Sequence, residues 1–472
     1  MDTSLDTLGP YNILMVSDFF YPNTGGVETH IYQLSQCLMA LGHKVVILTH
    51  SYGDIQGIHY LTNGLKVYYL PRLPIYQQAS FPTIFGAFPP LRRIILQEKI
   101  NIVHAHQAFS TMAHEAVLHA RTMGCRVVFT DHSLFGFADA SSILVNKVLK
   151  FSLADVHAAI CVSHTSKENT VLRACIPPQR VYVIPNAVEA SLFKPLVGND
   201  SGEVKMWSST TERKVMAHSG RSSEESITVI AMSRLVYRKG IDLLAAVLPE
   251  LCRRYQKLKF IIGGDGPKKH LLEEIIHSEG LDSRVTLIGE VQHDHVRQLL
   301  IQGQIFLNCS LTEAFCVSLV EAAAAGLLVV STRVGGVPEV LPPEMLVLAD
   351  PSPEGVLSAI DTAVERVLNS PVDVSHQHEE VTKMYSWHAM AQRTARVYDS
   401  VIQLDRDDSM AARLGRYWKC GKWFGKICCC VVAADWWYLK WLELWESAGK
   451  FIDNEKVENF KLFSSRQNLK SN

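Results

Sequence analysis

Two glutamates, Glu313 and Glu321, stand in the stretch Asn308-Cys-Ser-Leu-Thr-Glu313-Ala-Phe-Cys-Val-Ser-Leu-Val-Glu321. The apolar run Ile305 to Leu307 reads as a buried strand, and Cys316 to Ala325 is rich in helix formers and stopped by Gly326. A strand that runs straight into a helix leaves unpaired backbone N–H groups near Ala314, Phe315, Cys316 and Val317, aimed back at the strand end, where phosphate binds. Glu313 then lies in the turn and Glu321 about two helical turns further on. Carboxylates so placed suit sugar hydroxyls, which they accept from. Taken alone, Ser310-Leu-Thr-Glu313 also fits a capping box, a commoner use of that spacing, with Glu321 a solvated helix carboxylate.

A second set is cationic. Arg234 and Lys239 follow the apolar run Ile227 to Met232 in Ser233-Arg-Leu-Val-Tyr-Arg-Lys-Gly240. A guanidinium can grip two oxygens of a diphosphate while a lysine adds a compact charge; the plain reading is a solvated basic turn. Gly263-Gly264-Asp-Gly266-Pro267 follows a further strand and lets backbone approach a ligand closely. Gly25 and Gly26 do the same after Asn12 to Asp18, although they lack the full dinucleotide fingerprint, and no P-loop motif occurs. His132, in Thr130-Asp-His-Ser after another strand, can donate to a sugar hydroxyl or phosphate, or be satisfied within its loop. His114-Glu115-Ala-Val-Leu-His119 has one residue too many for the zinc helix H-E-x-x-H and reads as ordinary helix surface. No metal site is expected.

The elements that must position these groups alternate. Strand-like runs at 12–16, 44–49, 101–106, 126–130, 158–162 and 181–184 are separated by helix-like segments such as Ser110 to Met123. The pattern resumes at 227–232, 259–262, 285–288 and 305–307. Alternation of this kind signifies an α/β chain with parallel sheets covered on both faces. Ligand groups in such sheets cluster at strand ends, so three strand ends carrying Arg234 and Lys239, the Gly263 turn and the two glutamates would converge on one crevice.

At 472 residues the chain exceeds one core. We place an N-terminal domain at 1–196, a polar linker at 197–226, a second domain with a returning helix at 227–402, a juxtamembrane stretch at 403–418, a membrane-associated segment at 419–445 and a polar tail at 446–472. A net charge of −1 gives no reason to expect nucleic acid. The eleven cysteines lack paired spacing outside Cys428-Cys429-Cys430 and are expected to be reduced thiols facing the cytosol. No apolar signal peptide opens the chain, so the sequons at Asn199 and Asn308 are expected to be chance matches.

These words together carry a resemblance. Glu313 and Glu321 form the E-x7-E element, and Arg234 with Lys239 the basic element, of GT-B glycosyltransferases of family 4. Val16-Ser-Asp-Phe-Phe-Tyr-Pro, His132-Ser-Leu-Phe-Gly-Phe-Ala-Asp, Ser163-His-Thr-Ser-Lys-Glu-Asn-Thr-Val-Leu-Arg and Ser310-Leu-Thr-Glu-Ala-Phe-Cys are similar to the class A catalytic subunits of phosphatidylinositol N-acetylglucosaminyltransferase. The resemblance spans about Asn12 to Asp399. It implies two Rossmann-like domains facing a central crevice. It also implies retaining transfer of N-acetylglucosamine from UDP-N-acetylglucosamine to phosphatidylinositol, the first step of GPI-anchor synthesis, within a multisubunit complex on the cytosolic face of the endoplasmic reticulum. Arg234 and Lys239 would hold the diphosphate, Glu321 the ribose and Glu313 the transferred sugar, with Gly25, Gly26 and His132 completing the site and no metal or other cofactor. Ala314-Phe315-Cys316 departs from the usual word of family 4 in a way the class A proteins share. The rivals are another nucleotide-sugar transferase of this fold with a different lipid or soluble acceptor, and a noncatalytic scaffold.

Two apolar stretches point toward lipid. Phe81 to Ile95, with Arg92 and Arg93, fits either a lipid contact or a core segment with a helix start. Ile427 to Leu442 follows Lys419, Lys422 and Lys426, but Asp435 and Lys440 interrupt it. A crossing helix and a tryptophan-rich interfacial helix are both open on that pattern.

Overall fold

The computed structural model describes residues 9–76, 78–134, 140–195, 226–369 and 373–445. Most of the linker placed at 197–226, the tail 446–472 and part of the word beginning at His132 lie outside the described residues. The chain forms two compact units, 1–185 with 387–472, and 186–386.

In the first unit the elements are β1 (Asn12–Val16), α1 (Gly26–Ala40), β2 (Lys44–His50), β3 (Gly57–Tyr60), β4 (Lys66–Leu70), a hairpin of β5 (Pro74–Tyr76) and β6 (Ala79–Ser80), and α2 (Phe88–Gln97). Then come β7 (Ile102–His106), α3 (Thr111–Thr122), β8 (Arg126–Asp131), α4 (Ala140–Leu153), β9 (Ala158–Cys161), α5 (His164–Ala174) and β10 (Val181–Val183). Eight strands form one sheet in the order β10-β9-β8-β7-β1-β2-β4-β3, parallel except for β3 against β4. β1 lies between β7 and β2, and its residues 13–16 are all buried, which is why it reads as an unbroken apolar run.

The second unit holds β11 (Ile227–Met232), α6 (Ile241–Arg254), β12 (Leu258–Gly263), α7 (Lys269–Ser278), β13 (Val285–Gly289), α8 (His293–Leu300), β14 (Ile305–Asn308), α9 (Val317–Ala324), β15 (Leu328–Thr332), β16 (Leu346–Ala349), α10 (Pro353–Asn369) and α11 (Val374–Met384). Its six strands are all parallel, in the order β13-β12-β11-β14-β15-β16. The order reverses beside β11, and β11 and β14 pair directly, so the loops that follow them are neighbours.

Three helices return to the first unit: α12 (Trp387–Gln403), α13 (Met410–Trp418) and α14 (Phe424–Trp445). The helix we placed with the nucleotide-sugar domain up to 402 packs against α1, where Tyr11 donates to Asp399 at 2.5 Å and Tyr398 meets His104 Nδ1 at 2.7 Å. Asp155, fully buried, takes Arg413 at 2.8 Å and Arg416 at 2.7 Å from α13, together with Arg406 at 2.5 Å. Burial alone would raise its carboxyl pKa, but Arg121, Arg413 and Arg416 outweigh that and hold it below the ordinary value.

Two expectations change. His114 to His119 is not ordinary helix surface, because Glu115 and His119 are buried on α3. Glu115 pairs with Arg72 at 2.7 Å and accepts the backbone N–H groups of Thr83 and Ile84, each at 2.6 Å. His119 Nδ1 lies 2.7 Å from Asp435 Oδ1 of α14. The stretch 81–95 divides in two: Phe81 and Ile84 are exposed, whereas Phe88, Leu91, Ile94 and Ile95 join the core and Arg92 is buried with them, unable to meet phosphate at the surface.

Candidate active site

The second unit builds its site from three strand ends. After β11 the chain runs through Arg234, which is exposed, and a turn of 3-10 helix at Tyr237–Lys239, then enters α6 through its N-cap Gly240. Gly240 has φ +67°, and a Cβ there would sit 1.7 Å from the carbonyl oxygen of Cys309, so only glycine lets this loop lie against the end of β14. Gly264 has φ +136° and comes equally close to the neighbouring loop, a Cβ meeting the carbonyl oxygen of Ser233 at 1.9 Å. The loops are laced by backbone bonds: Leu235 N–H to Asp265 O at 2.8 Å, Lys268 N–H to Leu235 O at 2.9 Å and Leu311 N–H to Arg238 O at 2.9 Å. Gly266, at φ +150°, lies against Leu235 in the same lacing.

Glu313 falls in the turn between β14 and α9, three residues ahead of the N-cap Cys316, and so does not cap that helix. Its carboxylate pairs with Lys239 Nζ. Burial would depress the lysine's pKa, but Glu313 and then Cys316 more than offset this and raise it above the ordinary value, so Lys239 stays a cation. Gly336 N–H donates to Glu313 O at 3.0 Å and joins the loop after β15 to the same cluster. Cys316 takes a left-handed conformation, φ +72°, and its thiol lies 3.3 Å from Ser318 Oγ; burial pushes the thiol up to about 12. Phe315 is buried with its ring 5.5 Å from that of Tyr385, so it can offer a ligand only backbone, and Ala314 has only a methyl. Glu321 lies on α9, and burial raises its pKa to about 7. Its carboxyl can meet hydroxyl groups, which both donate and accept.

The first unit contributes a separate group of strand-end residues. Gly25 caps α1 and Gly26 begins it; a Cβ on Gly25 would meet Glu28 Oε2 at 2.5 Å, while one on Gly26 would meet nothing. His132 follows β8, and its Nε2 lies 3.3 Å from Nδ1 of His106 at the end of β7. His30 of α1 packs edge-on against His132 with ring centres 4.6 Å apart. Burial, and then the neighbouring imidazoles, hold His106 and His132 well below the ordinary range, so both are neutral hydrogen-bonding groups. Nitrogen atoms of His30, His106 and His132 lie within 4.8 Å of one another, close enough to share a metal ion or a hydrogen-bond chain. Sequence reasoning named only His132. His106 ends its strand in the same way and was there to be found, but His30 gives no local signal because it reaches the group through the packing of a helix.

Parallel sheets with glycine-lined strand-end loops, a lysine–glutamate pair and a half-buried second glutamate are features of a glycosyltransferase of the GT-B fold. A glycosyltransferase from Rickettsia africae superposes with a TM-score of 0.63 at 18% identity, covering 84% of this chain and 99% of that one. Anabaena HepE in complex with UDP and glucose gives 0.60 at 16% identity, covering 83% and 100%. Family models match at residues 50–139 (PIGA, GPI anchor biosynthesis) and 213–379 (glycosyl transferases group 1). The class A subunit of phosphatidylinositol N-acetylglucosaminyltransferase from Arabidopsis thaliana is 52% identical over 91% of this chain and 90% of its own length. Its counterpart from Homo sapiens is 48% identical over 94% and 87%. The chain belongs to the family of class A phosphatidylinositol N-acetylglucosaminyltransferase subunits.

Proposed function

We propose that this glycosyltransferase moves N-acetylglucosamine from UDP-N-acetylglucosamine to phosphatidylinositol, as one component of a larger complex. The observation that carries the site is the Lys239–Glu313 pair, held where Gly240 and Gly264 leave no room for a side chain. Arg234 and Lys239 would take the donor diphosphate, with amides of the turn before α9 beside them. A departing UDP gains negative charge there, so fixed cations help most in the transition state. Glu313 would turn from Lys239 toward the transferred sugar, Glu321 would hold the ribose, and neutral His132 would donate to the sugar or its phosphate. No second carboxylate stands beside Glu313 as a nucleophile among the residues we assign, so retention would proceed by front-face attack assisted by the leaving phosphate. In this reading the chain's own cations neutralise the leaving group and no metal takes part.

We also place the protein on the cytosolic face of the endoplasmic reticulum. Two observations support a reducing compartment without glycosylation: all eleven cysteines are free, and Asn308 is buried with its amide donating to Ser331 Oγ at 2.9 Å. The test is transfer of labelled N-acetylglucosamine to phosphatidylinositol in membranes lacking their own class A protein and supplied with this chain. Restored product that Glu313→Gln removes supports the assignment. No product from a well-expressed, complex-associated chain refutes it.

A further inference from the structure

Three imidazoles meet in the first unit where no spacing motif announces them. His30 comes from α1, His106 ends β7 and His132 follows β8. His30 and His106 are buried, and His132 is half-buried. Nitrogen atoms of all three lie within 4.8 Å of one another, and among the described residues no other set of three metal-ligating side chains converges in this way. Spacing alone predicts no metal site here because the three stand far apart in the chain.

The geometry suits a tetrahedral ion. His106 Nδ1 and His132 Nε2 are 3.3 Å apart. Two nitrogens, each about 2.0–2.1 Å from a zinc ion, stand about 3.3–3.4 Å apart at the tetrahedral angle, so this pair already spans one edge of the coordination figure. His30 has its ring centre 4.6 Å from that of His132 and 5.7 Å from that of His106. Its nitrogen closes the face with a shift of about 1.5 Å. The other nitrogen of His106, Nε2, lies 3.4 Å from Met15 Sδ of β1. A thioether only accepts, so it favours a proton on Nε2 and leaves Nδ1 with the lone pair that a ligand needs. His104 is not a fourth ligand, because Nδ1 lies 2.7 Å from Tyr398 Oη and Nε2 lies 2.6 Å from Thr130 Oγ1. Its ring, 4.1 Å from that of His106, forms a wall of the site, and Trp387 of α12 packs edge-on against His30 at 6.0 Å.

We infer that His30, His106 and His132 bind a divalent transition-metal ion of zinc's class through one nitrogen each, with a fourth position open on the side of His132. An all-imidazole donor set suits such an ion better than magnesium or calcium, which prefer oxygen. The ion ties α1 to the ends of β7 and β8. By holding Nε2 of His132 it also fixes that ring's proton on Nδ1, so the ring presents an N–H rather than a bare nitrogen. Arg234 and Lys239, on the second unit, keep the neutralising role in the proposed transfer, and the ion acts only on the conformation and tautomer of His132. Ion binding does not depend on which lipid or sugar the enzyme uses.

The test uses the full chain with the subunits that co-purify with it, measured as purified and again after treatment with a chelator and addition of zinc or cobalt alone. About one zinc per chain should survive gel filtration, and X-ray absorption should show imidazole nitrogen at about 2.0–2.1 Å with no sulfur neighbour. Cobalt should give the intense visible bands of a tetrahedral ion. His30→Ala and His106→Ala should each weaken zinc binding about a hundredfold or more, and Met15→Leu about tenfold, the lesser effect of an outer partner. His164→Ala, at an exposed histidine outside the group, should bind zinc as the parent does. His30→Cys should keep the ion and add a sulfur neighbour at about 2.3 Å, a change that a folding defect cannot produce. A parent chain that neither carries zinc as purified nor takes up zinc or cobalt overturns the inference and leaves the imidazoles as a hydrogen-bond chain. Sulfur neighbours in the parent also overturn it and assign the ion to cysteines, as does undiminished binding in both alanine variants. Absence of transfer from a zinc-loaded chain refutes the proposed function and leaves the site standing. Full transfer from a chain that takes up no metal refutes the site alone.

Discussion

Replacing Glu321 with glutamine should stabilise the protein at neutral pH and remove a pH dependence. Burial raises the carboxyl from an ordinary 4.5 to about 7 in the folded chain. Between those values the folded state keeps the proton and the unfolded state has released it, so stability falls as pH rises and the loss is complete above the folded value. A shift of this size corresponds to about 3 kcal/mol at 1.36 kcal/mol per unit. Glutamine of the same shape carries no such penalty, so the variant should gain about 3 kcal/mol above pH 7 and nothing near pH 4. Urea unfolding followed by circular dichroism from pH 5 to 8 measures this as a midpoint that declines with pH in the parent chain and stays level in Glu321→Gln. Donor affinity should move the opposite way, because glutamine offers the ribose one acceptor where a carboxylate offers two. If the parent and variant midpoints run parallel with pH, Glu321 is well solvated and the desolvation argued for it is wrong.

Other outcomes follow from the same geometry. Glu313→Gln should lower kcat by about a hundredfold or more while leaving UDP affinity within a few fold, a split that steady-state and equilibrium binding measurements separate. Gly240→Ala should lose about 2–4 kcal/mol, since a left-handed backbone and a collision with the Cys309 carbonyl add together; a fall in thermal midpoint checks it, and an unchanged midpoint would show that the loop relaxes freely. His119→Ala leaves Asp435 buried without its partner and should cost about 3–5 kcal/mol, with hydrogen exchange rising first in α14. Exchange confined to α3 would contradict the coupling.

The strand ends were legible because apolar runs followed by Gly, Arg or Glu carry two signals at once, a buried parallel strand and a loop with a task. β11 was read with its bounds as observed, and the strands ending at His106 and Leu70 show the limit. His106 was seen as a strand end but not as a site residue, and β3 to β6 were not read at all. Those short strands alternate weakly: β4 owes its place to pairing with β2 and β3 to pairing with β4, while β5 and β6 form a hairpin of their own just ahead of the clamp of Glu115 on Thr83 and Ile84. The reading of His119 as surface failed for a related reason. Its partner is Asp435, more than three hundred residues away, and no local pattern encodes that contact.

By itself the sequence determined the α/β class, the two groups of strand ends and the chemistry available at each, because strand periodicity and residue type are local properties. Tertiary structure decided which groups meet. It paired Glu313 with Lys239 rather than with a helix end, gathered His30 and His106 around His132, and brought the last three helices back to the first unit through Tyr398, Asp155 and His119. It also turned Asp435 of α14 inward and Trp437 and Trp441 outward. That choice depends on a buried histidine being available to receive Asp435, and such complementarity exists only once the chain has folded.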